Sequence, residues 1–339
     1  MKSMEVRFHL PGLRYNYPLN MFFVGLQSLH PEYFREGVKI ASFFGEFPTS
    51  LWGGGRFCND DQCDARFVTE VVKNINKQGI PVRYTYTNPL LTKEDLSDAY
   101  CNFCMKTADN GMNEVLVVSD ILEEYIRKNY PGFKINSSTC KELKKLDSIN
   151  AELEKDYQLV VLDYNLNNQF ELLEQINHKD KCEILVNACC IPNCPRRAEH
   201  YCTIAKQQRI VLQNRKNPTG KKIPVPGWHC EYGDHNSIHT IRDYVTYVSP
   251  EAIWEKYVPM GYVNFKIEGR TANLFQLVDT YCHYMIRPEY EGEARLLLLA
   301  NLEKATLLLL INPDLQNGRI RARSSYGNGI LLGNSPLSV

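Results

Sequence analysis

Eight short apolar or β-branched runs recur along the chain with amphipathic stretches between them, and that alternation restricts the fold more than any single motif. The runs are Val6–Leu10, Lys39–Phe44, Val82–Thr87, Glu114–Val118, Lys134–Ser138, Tyr157–Leu162, Glu183–Val186 and Tyr262–Ile267. Strands separated by helix-length segments pair in parallel, because a parallel neighbour can be started only after a long crossover. The segments Asp64–Lys77, Thr92–Ala108, Ile121–Asn129 and Gln169–Ile176 carry helix patterning, with Thr92 as an N-cap and Asp95 three residues on. Eight such units predict an α/β fold, a (β/α)8 TIM-like barrel. An open doubly wound sheet is the alternative, but no GxGxxG follows the first run. The run Gly53–Gly55 lies after the second strand without a helix start and reads as a flexible loop.

Residues 1–290 are assigned to the barrel, with a Cys/His-containing insertion at about 203–250, before the eighth strand. Residues 291–316 read as an extension packed on it, and 317–339 as a loosely ordered tail. Leading into the insertion, Pro195–Gln208 reads as a helix, and Ser249 with Pro250 behind it reads as the start of another. Thr271–Ile286 reads as the closing helix. The leucine runs at 296–299 and 307–311 are interrupted by Asn301, Glu303 and Lys304, too broken for the roughly 20 apolar residues of a membrane span. The N-terminus lacks the apolar core of an export signal, so a cytoplasmic protein is expected. Lys plus Arg equals Asp plus Glu at 39 each, which excludes an overall basic field for nonspecific nucleic-acid or membrane binding. The arginines of the tail, Arg319, Arg321 and Arg323, read as solvated.

At the strand ends the residues turn polar: Gly45-Glu46, Thr87-Asn88, Ser119-Asp120, Ser138 to Cys140, Asp163 to Asn165, Asn187 to Cys190, and Glu268 to Arg270. A barrel gathers these positions at one rim, where active sites are built. Ser119 and Thr92 read as caps, whereas Asn88, Asp163, Asn187, Glu268 and Arg270 read as pocket residues. Twelve cysteines in such a chain point to thiols, metal ligands or a cluster rather than disulfides. Four of them fall in EILVNACCIPNCPRRAEHYC, residues 183–202, where Cys190 and Cys194 are four apart and Cys202 follows a helical turn or two later. That spacing lets thiolates converge on one metal. Cys230, beside His229 and near His235, is placed to swing back and complete the set. Cys101 and Cys104 form a CxxC inside a predicted helix and read as packing. Cys58 and Cys63 read as residents of an exposed loop.

Three segments, EILVNACCIPNCPRRAEHY, FKIEGR (Phe265–Arg270) and SFFGEFPTSLWGGGR, resemble the collagenase-like peptidase family, the U-thirty-two group, over roughly residues 5–290. The resemblance implies a barrel of this type and a peptidase. It also implies kinship with iron-sulfur members that hydroxylate RNA bases or a quinone precursor without oxygen. Cys190 and Cys194 fall on the family's cysteine element, with Cys202 and Cys230 to complete a four-thiolate set, although the spacing departs from that of the hydroxylases. Cys189 is the alternative ligand.

The expectation is an iron-sulfur (4Fe-4S) enzyme that modifies, by oxygen-independent hydroxylation, an organic, peptide or RNA substrate in the barrel mouth. Arg270, with Arg196 or Arg197, would grip a carboxylate or phosphate. Glu268 and Asp163 would serve as acid, base or orienting groups, with Asn187 beside them and Asn88 and Lys266 on the substrate. Lys266, Glu268 and Arg270 read equally well as a salt-bridge set closing the barrel. Two alternatives are kept: a metal- or thiol-dependent peptidase, for which the chain shows neither GxSxG nor HExxH, and a non-catalytic barrel with a structural zinc that serves a homologous partner subunit.

Overall fold

The computed structural model describes residues 5–54, 63–230, 232, 238–270 and 274–310. Strands β1 (Val6–Pro11), β2 (Val38–Gly45), β3 (Val82–Tyr86), β4 (Glu114–Val117), β5 (Lys134–Ser137), β6 (Leu159–Val161), β7 (Cys182–Leu185) and β8 (Asn264–Lys266) close into a barrel in sequence order. Every neighbouring pair is parallel, including β1 with β8. The expected barrel and the eight expected strands are all present, each within about two residues of its predicted ends.

Helices α1 (Tyr17–Leu29), α2 (Ala65–Lys77), α3 (Ala99–Ala108), α4 (Asp120–Asn129), α5 (Leu146–Leu153), α6 (Phe170–Leu173) and α7 (Arg197–Lys216) alternate with the strands. In α2 the residues Phe67, Val68, Val71, Val72 and Ile75 are buried, a stripe at helical spacing. Asp64 starts that helix by accepting from the Phe67 amide at 2.7 Å. The helix expected over 92–108 is broken instead. Asp95 Oδ2 accepts from the amide and the hydroxyl of Thr92 (2.8 and 3.1 Å), and a second cap at Asp98, bonded to the Cys101 amide at 2.9 Å, starts α3. The aspartates compete for backbone donors and divide the segment. The helix expected at 195–208 continues to Lys216, so the irregular part of the insertion begins at Asn217.

Beyond it come the short α8 (Ile238–Ile241) and α9 (Pro250–Ala252), where Ser249 accepts from the Ala252 amide as expected. Helices α10 (Leu274–Met285) and α11 (Glu291–Leu310) complete the described chain. Helix α11 packs against α1 and α10, burying Ala294, Leu298, Leu302 and Ala305 along one face. Among the described residues no helix is long and apolar enough to cross a membrane. The tail 317–339, with its three arginines, lies outside the described residues, as do Cys58 and His235.

Inside the barrel, strand residues two apart face the same way. Arg83 and Thr85, Glu114 and Leu116, Glu183 and Leu185, and Asn264 and Lys266 therefore form stacked inward positions. The lower positions on β3, β4 and β7 are charged. Arg83 Nε donates to Glu114 Oε2 at 2.6 Å, and its Nη1 donates to Glu183 Oε2. Asn136 and Gln158 donate to Glu114 (3.0 and 3.1 Å), and Lys266 Nζ lies 3.4 Å from Glu183 Oε1. Burial alone would raise the Glu183 carboxyl, but Arg83, then His9 and Lys266, hold it well below the usual range. Burial, reinforced by Arg83, pushes His9 down to about 3, so its ring is neutral. A buried charge of this kind persists only with close partners, and each has them.

Candidate active site at the barrel mouth

Above the charged plug opens a cavity of about 80 Å³, lined by Phe44, Thr85, Leu116, Leu185 and Lys266 from the strands, by Tyr164 just beyond β6 and by Glu268 and Arg270 beyond β8. That volume holds a handful of waters or a small ligand. The Lys266 side chain is 9% exposed, and its amine sits 4.1 Å from the Phe44 ring centroid. Desolvation, partly offset by Glu183, brings its pKa down to about 8. A lysine so placed is partly neutral near physiological pH.

A smaller cavity of about 30 Å³ adjoins, lined by Leu13, Asn16, Glu46 and Gln208 among others, and Arg270 forms a wall of both. Arg270 Nη1 donates to Thr85 Oγ1 at 2.8 Å and to the Gly54 carbonyl at 3.2 Å, which aims the guanidinium across the mouth. Glu46 closes the end of β2. Gln208 Nε2 approaches its Oε1 at 3.4 Å, while Oε2 is shielded from solvent and has no hydrogen-bond partner. Desolvation lifts this carboxyl to about 7 despite the pull of Arg270, the Gly54 amide and Gln208. A Cβ on Gly53 would lie 2.1 Å from Glu46 Oε2, and one on Gly54 would lie 2.4 Å from Thr87 Oγ1. These two glycines are therefore close-packing positions rather than the flexible loop expected from sequence.

The predicted site residues divide into two groups. Glu268, Arg270 and Lys266 line the mouth. Arg197 also borders it, but its donors are taken: Nη1 donates to Asp163 Oδ2 at 2.8 Å, Nη2 to the Thr139 carbonyl and hydroxyl, and Nε to Tyr201. Asp163 Oδ1 accepts from the amide and side chain of Asn165. The pair thus bolts α7 to the ends of β5 and β6 instead of meeting a substrate. Asn187 is a clasp: it accepts from the Glu268 amide at 2.6 Å and donates to the Glu268 carbonyl at 2.9 Å. Glu268 Oε2 in turn accepts from the Cys189 amide. Asn88 is fully buried and staples its loop through the Leu51 carbonyl and the Leu90 amide. Arg196 points outward, paired with Glu199 at 3.0 Å and resting on the Trp228 ring at 4.3 Å.

The cysteine set does not assemble as expected. Among the described residues no three His, Cys, Asp or Glu side chains converge as a metal site. Cys190 packs against Tyr164, Leu185 and Ala188, and Cys202 lies on α7. Cys230 is brought beside the start of α7 by the stack of His200 on Trp228 (4.5 Å) and by the bond from Arg196 Nη1 to the His229 carbonyl, without Cys190, Cys194 and Cys202 closing a ligand set with it. Cys101 and Cys104 are buried, and desolvation raises both thiols, in keeping with packing. Cys63, expected in an exposed loop, is buried and accepts from Arg14 at 3.0 Å.

Glu46 is the site residue that the sequence reading passed over. It stood among the polar strand ends, and the signal that could have singled it out was a lone carboxylate between two aromatic residues, Phe44 and Phe47.

No family model matches the chain. It is 28% identical over 114 residues to an uncharacterized protease of Methanocaldococcus jannaschii, a match that covers 33% of this chain and 33% of that protein. The chain thus spans about a third of that relative's length. Among solved structures, the U32 peptidase Mk0906 is similar with a TM-score of 0.45 and 12% identity, covering 79% of this chain and 95% of that one. The first is named a protease and the second a peptidase.

Proposed function

We propose that the chain is an enzyme that moves protons on a small organic substrate bearing a carboxylate and a carbonyl, seated in the barrel mouth. The observation that carries this reading is Glu46. A carboxyl that titrates near 7, with one oxygen unpartnered and shielded from bulk water, is poised to take a proton and return it. Arg270 supplies the fork for the substrate's carboxylate, and Lys266 meets the carbonyl at the cavity floor. Glu268, fixed by Asn187 and the Cys189 amide, flanks the opening.

A direct test is proton exchange. A set of small 2-oxo acids, pyruvate first, is incubated with the protein in deuterated buffer, and loss of the proton beside the carbonyl is followed by NMR. Exchange is expected to rise with pH through about 7, and Glu46→Gln is expected to slow it roughly a hundredfold or more. Exchange no faster than in buffer, or equal in the variant, overturns the reading.

The likeness to a protease favours a second reading, amide hydrolysis, with Glu46 drawing the proton from water and Arg270 and Lys266 facing the oxyanion. Release of amine from dipeptides by the wild type and not by Glu46→Gln would select it.

A further inference from the structure

Lys266 is out of place as a mere salt-bridge partner. Arg83 already reaches both buried carboxylates, Glu114 and Glu183, with direct hydrogen bonds, whereas Lys266 approaches Glu183 at 3.4 Å. Its amine lies over the Phe44 ring, and the residue lines a cavity shared with Thr85, Leu116, Tyr164, Leu185, Glu268 and Arg270. The side chain is 9% exposed and lines that cavity. Arg270 stands on the same wall and is held there by Thr85.

We propose that Lys266 is a nucleophile that condenses with the keto group of a small 2-oxo acid whose carboxylate lies on Arg270. This rests on the proton-transfer reading of the site and names its substrate class. The neutral amine attacks the carbonyl carbon, the C–O π pair moves to oxygen, and the proton on the resulting ammonium nitrogen passes to that oxygen to give a neutral carbinolamine, whose hydroxyl takes one further proton from solvent. Loss of water then leaves an iminium on Lys266, with no oxidant or reductant consumed. The iminium draws electrons from the neighbouring carbon, whose proton leaves to a base, a part that falls to Glu46 in the adjoining cavity that shares the Arg270 wall. Burial supports the first step, since it keeps a share of the lysine unprotonated near neutral pH.

The experiment is reductive trapping. Wild-type protein is incubated with pyruvate and cyanoborohydride at pH 8 and analysed by intact mass and peptide mapping. Lys266→Arg, which keeps the charge, and Lys266→Met, which removes it, are treated in parallel after circular dichroism confirms that at least one folds. The expected result is a single reduced adduct mapping to Lys266 and absent from the folded variant. No adduct at Lys266, or labelling of surface lysines to the same extent in wild type and variant, overturns the inference. If exchange into the 2-oxo acid persists without an adduct, the nucleophile falls and the proton-transfer reading stands. An adduct without exchange leaves the nucleophile and removes the reading of Glu46.

Discussion

Replacing Glu46 with Gln tests the site without depending on any substrate. The carboxyl titrates at 4.5 when unperturbed and at about 7 in the folded chain. Between those values the folded state holds the extra proton, so stability falls as pH rises. For a single such group the cost relative to a permanently neutral side chain is about 1 kcal/mol at pH 5 and about 3 kcal/mol at pH 8. Gln has the same shape and cannot ionise. Any packing penalty of its amide is equal at both pH values and drops out of the difference. The stability of Glu46→Gln minus that of wild type is therefore expected to become more favourable by roughly 2 kcal/mol from pH 5 to pH 8. Urea unfolding followed by circular dichroism, with unchanged slopes in denaturant, measures it. If the two proteins lose stability in parallel over that window, Glu46 titrates like an ordinary carboxylate and its assignment as a proton carrier fails.

Lys266 has the opposite sign. Its folded pKa lies below the unfolded one, so above pH 8 the unfolded chain binds more protons and wild type should gain roughly 2 kcal/mol over Lys266→Met between pH 8 and pH 10, read by the same unfolding curves. Arg83→Met strands Glu114 and Glu183 without their cation and should cost about 3–5 kcal/mol at neutral pH; a loss below about 1 kcal/mol would refute the plug as an interdependent unit. Trp228→Ala removes the surface on which His200 and Arg196 rest, and limited proteolysis is expected to cut within residues 217–230 sooner than in wild type.

The scaffold was legible because period and length decide it: runs such as Val82–Thr87 are too short for helices, and the segments between runs are long enough for crossovers. The rim was legible for the same reason, as Glu268 and Arg270 follow a strand by a fixed count. What the sequence hid was which polar residue spends its hydrogen bonds on the protein. Asp163, Arg197 and Asn187 look like ligand-binding groups by type and position, yet each is satisfied by backbone or by a partner far away in sequence. Glu46 looks ordinary, yet among the described residues it is a rim carboxylate with a buried oxygen that has no hydrogen-bond partner. The cysteine-rich stretch shows the same limit, since spacing along the chain does not say which thiols face one another. In the structure Cys190 belongs to a small apolar cluster, while Cys202 sits on a helix.

The ionic plug beneath the cavity has a consequence for which ligands can stay. Two carboxylates, Glu114 and Glu183, oppose two cations, Arg83 and Lys266, with an uncharged His9 among them. The balance holds only while Lys266 is cationic. A guest that consumes that charge leaves one negative group facing hydrocarbon, with strands on every side to keep counterions out. A guest that preserves it, as an iminium does, leaves the barrel interior undisturbed. Selectivity in this protein is then set partly from below, by side chains that no ligand ever touches.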